Sequence, residues 1–174
     1  MLNSLLYVLI YCNYGNSIDS LKGFLLSSLL IVIAGIDLKT HYIYKSTTIF
    51  GIGAFIFIEI IDLLISWQIP WENLLAGALG VIVIGAIVFF TGGMGEGDIE
   101  IALIIGLFLG IKGLMLALFI AFILGGIIAS IFLILKFKER KAEIAFGPYL
   151  AMGAIISLLY STEIINWYIS LMKI

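Results

Sequence analysis

Residues Gly113–Leu135 read GLMLALFIAFILGGIIASIFLIL, a run without a charge in which Ser130 is the one polar side chain. A helix crossing the hydrocarbon core of a bilayer needs about 20 mostly apolar residues at about 1.5 Å rise each. This run meets that length, and it is not alone. Phe24–Ile36, Leu74–Phe90 and Ile101–Ile111 are also apolar and uncharged. Of 174 residues, 63% are hydrophobic and 11% charged, and the mean hydropathy is +1.26. Water-soluble domains carry about 25% charged residues to cover their surface. The expected fold is therefore an all-α integral membrane protein, a polytopic helical bundle of about six to seven transmembrane segments with short loops. The chain is short enough to be one domain over residues 1–174.

Working outward, the glycines, prolines and charges divide the chain into Leu2–Tyr11, Leu21–Asp37, Thr47–Ile65, Glu72–Phe90, Ile99–Ile111, Leu114–Leu135 and Tyr149–Ile169. The opening MLNSLLYVLIYC has no basic region before its apolar run and no cleavage-site pattern, so it reads as a short first helix and not a removable signal peptide. Cys12 is the single cysteine and His41 the single histidine. Neither a disulfide nor a soft-ligand metal site is expected from so few candidates. Nine Lys and Arg residues scattered among connections make no basic patch for nucleic acid. Lys39, Lys45, Lys136, Lys138, Arg140 and Lys141 fall in two connections, and Lys22, Lys112 and Lys173 fall on the other side if seven spans alternate. The imbalance orients the first set toward the cytoplasm. Trp67, Trp71 and Trp167 then suit interfacial anchors at the outer boundary, and Glu59 and Asp62 lie near the outer end of the third span.

One interruption differs from the rest. Thr91–Glu100 reads TGGMGEGDIE and places Glu96, Asp98 and Glu100 behind Gly92, Gly93, Gly95 and Gly97. With the orientation above, this island is cytoplasmic, and so is Asp37 at the end of GFLLSSLLIVIAGID. Two carboxylates distant in sequence are thus expected at one depth and on one side. A purely structural reading makes Asp98 the N-cap of a helix starting at Ile99 and Asp37 a charge at the lipid boundary. A functional reading starts from the cost of leaving ionisable groups unpaired in a membrane. If the two meet, their ionisations compete and one proton can be shared. A pair holding one proton can activate water while donating to a carbonyl, which is the chemistry of aspartic proteolysis.

Three elements give the chain a family likeness. It resembles the prepilin peptidases, membrane-embedded aspartic proteases of the GxGD type. Gly95-Glu96-Gly97-Asp98 matches the GxGD element, Ile36-Asp37-Leu38 matches the setting of the first catalytic aspartate, and Phe146-Gly147-Pro148-Tyr149-Leu150-Ala151 resembles the FGP(F/Y)LA at the head of the last helix. The resemblance covers nearly the whole chain. It departs at two positions: Ile43-Tyr44 stands where the family commonly has Ile-Pro, and Glu100 where it commonly has Lys. The chain starts almost at the family's protease core and has no cysteine pair, so peptidase activity without methyltransferase activity is expected.

The resemblance implies Asp37 and Asp98 as catalytic residues, with Gly95, Gly97, Gly147 and Pro148 supporting the loop and substrate groove. Glu96, Glu100 and Glu143 are candidates for contact with a basic leader peptide. Met94 and Phe146 are groove candidates whose simpler reading is packing, and His41 is a juxtamembrane residue. No cofactor and no metal are implied. The expected partners are prepilin, pseudopilin or preflagellin-like precursors and membrane lipid, without nucleic acid, at the cell membrane with the active site on the cytoplasmic side. A preflagellin-type class-three signal peptidase, a non-catalytic relative acting in pilus or secretion assembly, and a small transporter or proton pathway are the alternatives.

Overall fold

A computed structural model of the chain describes residues 2–134 and 145–172. It is all helical among those residues: α1 (Leu2–Tyr14), α2 (Ile18–Thr40), α3 (Lys45–Ser66), α4 (Trp71–Thr91), α5 (Glu96–Ile134) and α6 (Gly147–Met172). Helices α2 to α6 are long and apolar enough to cross a membrane. With 13 residues, α1 reaches only about 20 Å at the helical rise, short of a hydrocarbon core of about 30 Å. The chain is a multi-pass helical membrane protein.

Local chemistry marks the boundaries. Ser17 caps α2, its hydroxyl accepting the N–H of Ser20 at 3.3 Å, the usual satisfaction of a free helical donor. Helices α2, α3 and α4 each end on a left-handed residue, His41, Trp67 and Gly92, whose N–H returns to the carbonyl of Asp37, Leu63 and Val88. Such ends satisfy otherwise unpaired carbonyls. The last helix begins at Gly147, with Pro148 in its first turn, where a missing N–H costs no bond.

The two segments expected at Ile99–Ile111 and Leu114–Leu135 are joined in α5, which is interrupted at Gly110 (φ 68°, ψ −176°). That backbone region is essentially restricted to glycine. In a straight helix Ile101 and Gly125 would be about 36 Å apart. Yet a Cβ on Gly147 would lie 3.1 Å from Ile101, and one on Gly125 would lie 2.9 Å from the neighbouring Phe146. Helix α5 therefore folds back at Gly110 into two antiparallel arms. The first arm packs along α4, with a Cβ on Gly80 falling 2.6 Å from the Ala102 carbonyl oxygen. The second packs along α6, where Ser157 Oγ donates to the Gly113 carbonyl at 2.8 Å. Small residues permit this approach of backbones where lipid offers no hydrophobic drive for helix association.

The main core is built from Leu26, Leu30 and Ile33 of α2, Ile84 of α4, Ile101, Ile104, Ile105 and Leu114 of α5, and Leu150 of α6. A smaller cluster seats Leu6 and Ile10 of α1 on Leu158 and Leu159 of α6. Helix α3 sits at the side of α2 and α5, through Gly51 beneath Leu29 and Ile104 and through Phe55 against Phe108. At the end away from Asp37, Lys22 of α2 pairs with Glu59 of α3 at 2.6 Å and with Asp62 at 3.4 Å. Glu59 thus faces a helix partner. Trp67, Trp71 and Trp167 are exposed, on the segments of α3, α4 and α6 remote from Asp37.

Candidate active site

Asp37 and Asp98 come to one place from two helices. Both line a cavity of about 460 Å³ at one end of the bundle, and they are 5% and 4% exposed respectively. Those values exclude solvated charges marking a lipid boundary.

Each carboxylate is held by a backbone donor at a glycine. Oδ2 of Asp37 accepts the N–H of Gly147 at 3.1 Å, and Oδ2 of Asp98 accepts the N–H of Gly95 at 3.1 Å. The second contact does not fit the purely structural reading of Asp98 as the N-cap of a helix that starts at Ile99. The helix starts at Glu96, not Ile99, so Asp98 sits in its first turn and its side chain reaches back to the preceding backbone. That is the returning half of a capping box, and it also places the carboxylate near the positive end of the helix dipole.

The supporting residues divide by how they act. Gly147 is pressed against Asp37: a Cβ there would stand 2.5 Å from Asp37 Oδ2. Pro148 is buried beside it. Gly97 lies under Ile43, whose side chain would meet an added Cβ at 2.7 Å. Gly95 has open space on its Cβ side, with nothing nearer than 3.9 Å, so its contribution is its N–H. Glu96, Glu100, Met94 and Phe146 all border the cavity, and Phe146 also packs on Phe122 and Tyr149. His41 lines it too, as the left-handed end of α2. Glu143 lies outside the described residues.

Three contributors were not expected at the site, and one of them, Thr48, had no signal in the sequence pattern. Ile43 and Lys45 form the α3-side wall. Thr48, which is buried, donates its hydroxyl to Oε2 of Glu100 at 2.5 Å. Tyr44, where the resemblance puts proline, has φ −75°, inside the range a proline ring imposes. The chain exit there needs no proline to be made. Among the described residues no three His, Cys, Asp or Glu side chains gather as a metal-ion site would require.

The fold and the cavity thus define a class: a polytopic helical membrane protein with two buried aspartates lining one cavity at one end of its bundle. The sequence pattern of the type IV leader peptidase family matches residues 24–130, and the chain belongs to that family. A prepilin leader peptidase/N-methyltransferase of Bacillus subtilis is 30% identical over 159 residues, covering 91% of this chain and 63% of that protein. The protein of the same name from Xanthomonas campestris is 25% identical over 176 residues, covering 97% and 60%. That of Legionella pneumophila is 40% identical over 76 residues, covering 44% and 26%. The chain spans less than two thirds of the length of these relatives. No solved structure matches it.

Proposed function

We propose that the chain is an endopeptidase that removes a short basic leader from type IV prepilin-like or pseudopilin precursors at the cytoplasmic face of the cell membrane. The observation that carries this reading is the convergence of Asp37 from α2 and Asp98 from α5 on one cavity, in a chain of the type IV leader peptidase family. The whole chain acts as a single membrane-embedded aspartic peptidase domain. Lys39 and Lys45 border the cavity end, in keeping with a cytoplasmic face.

The chemistry follows from the coupled pair. With one proton between the two aspartates, the ionised member draws a proton from a water molecule as the oxygen attacks the scissile carbonyl carbon. The protonated member donates to the carbonyl oxygen, giving a tetrahedral intermediate. Collapse breaks the C–N bond, and a proton passes to the leaving amine. Gly147 and Gly95 each hold one oxygen of a carboxylate, Oδ2 of Asp37 and Oδ2 of Asp98, through their N–H groups. The Gly92–Met94 stretch and Phe146 border the space an extended peptide occupies. Glu96 stands at the same cavity and draws the basic leader toward it.

Reconstitution into liposomes with a prepilin-like precursor tests the dyad. Asp37→Asn and Asp98→Asn are each expected to abolish leader removal while the protein stays folded, as judged by its thermal transition in detergent. Near-normal cleavage by either variant would sink the assignment.

A further inference from the structure

Glu100 borders the cavity, yet the chemistry of the two aspartates does not use it. It stands two residues beyond Asp98 on α5, and side chains at that spacing do not share a helix face. Asp98 accepts the N–H of Gly95, while Glu100 turns to α3. There Thr48, buried and 52 residues away in sequence, donates its hydroxyl to Oε2. The bond fixes the carboxylate on the cavity wall before any ligand arrives, which lowers the ordering cost of binding. Among the described residues the second oxygen, Oε1, is left to accept another donor. Lys45 shares this wall, but the ion pairs among the described residues are those of Lys22. Among the described residues that line the cavity, Glu96, Glu100 and the singly ionised aspartate pair outweigh Lys45 in charge.

We propose that Glu100, oriented by Thr48, is a specificity-determining residue that binds a lysine or arginine side chain of the peptide lying across Asp37 and Asp98. The proposal rests on the peptidase reading above and deepens it. An ammonium or guanidinium forms a charge-assisted bond with the remaining oxygen, whereas an acidic side chain at the same place is repelled. Glu100 is bonded to α3, whereas Asp37 is bonded to the head of α6. Glu100 therefore reads a residue to one side of the scissile bond.

The test uses the full chain in detergent and a set of synthetic precursor peptides in which each Lys or Arg is replaced singly by Gln. Affinity is measured by fluorescence anisotropy, and kcat and KM by cleavage. For the wild type, one replacement is expected to weaken binding and raise KM about tenfold, the scale of one charge-assisted bond, with a smaller change in kcat. Glu100→Gln is expected to bind the parent and that peptide alike, and Glu100→Lys to prefer Glu at that position. Thr48→Val is expected to blunt the discrimination and Thr48→Ser to keep it. Equal affinities of all the peptides for the wild type, or an equal loss on every peptide in Glu100→Gln, would overturn the proposal. Binding does not require bond cleavage. Charge preference without cleavage would therefore sink the peptidase reading and leave the subsite standing.

Discussion

The backbone N–H of Gly147 donates to Oδ2 of Asp37 across 110 positions of sequence. This bond ties the head of α6 to the end of α2 and fixes one carboxylate of the cavity. The glycine is needed for space as well, since a Cβ there would stand 2.5 Å from the carboxylate oxygen it serves.

Gly147→Ala is expected to displace the Asp37 carboxylate and lower kcat of precursor cleavage by roughly 100-fold, the scale of a misplacement of about 1 Å at a reacting group. The helix start itself tolerates alanine, so the thermal transition in detergent is expected to move little. A kcat near wild type would show that Asp37 can be repositioned freely.

Gly97→Ala acts on the opposite wall. Its new methyl would meet Ile43 at 2.7 Å and push the connection between α2 and α3 away from the cavity. Cleavage is expected to fall, and trimming the obstacle in a Gly97→Ala/Ile43→Ala double variant is expected to recover part of it. The two substitutions share one contact, so their effects should not add. Strict additivity in kcat/KM would count against the contact. Gly95→Ala is the control, because its Cβ position is open and its N–H is retained.

These relationships separate what the sequence makes legible from what it hides. Apolar run lengths identify the spans, and the alternation of segments places Asp37 and TGGMGEGD at one end, because both depend on local composition. Contacts across helices depend on rotation about each axis, which no run length encodes. Thr48 with Glu100, Ile43 with Gly97 and Lys22 with Glu59 are all of that kind. The start of α5 was misplaced for a different reason. A stretch rich in glycine and acid reads as a loop, yet Glu96 and Asp98 sit in the first helical turn, where the helix dipole favours them. The expected break between the fifth and sixth segments falls at Lys112-Gly113, whereas the pivot is Gly110.

Gly110→Ala tests that pivot. At φ 68° and ψ −176° a side chain costs on the order of 1–3 kcal/mol, and the thermal transition in detergent should fall accordingly. Gly126→Ala on the second arm of α5 is the reference, having open space around its Cβ position. It should be neutral or slightly stabilising, since alanine is the better helix former by about 1 kcal/mol. Equal behaviour of the two variants would argue against the fold-back.

The ion pair at the far end of the bundle makes the last prediction. Lys22 and Glu59 have side chains only 12% and 9% exposed, so each neutralises a charge that water does not reach freely. Removing one partner leaves the other buried, a situation that costs about 3–5 kcal/mol in protein interiors. Lys22→Met is therefore expected to destabilise strongly, by loss of the α2–α3 attachment and by the stranded Glu59. Asp62, at 29% exposure, is better solvated, and Asp62→Asn should cost far less. The double variant Lys22→Met/Glu59→Met removes both charges and replaces them with apolar side chains of similar length. Because burying a pair has its own desolvation cost, the double variant should be more stable than Lys22→Met alone. A double variant less stable than Lys22→Met would show that the stranded Glu59 is not what destabilises the single variant. Precursor cleavage provides an independent readout, since α3 also carries Lys45 and Thr48 at the cavity end. If α3 moves as a rigid rod, loosening it at Glu59 should lower cleavage in Lys22→Met and restore it in the double variant, in step with the thermal transition.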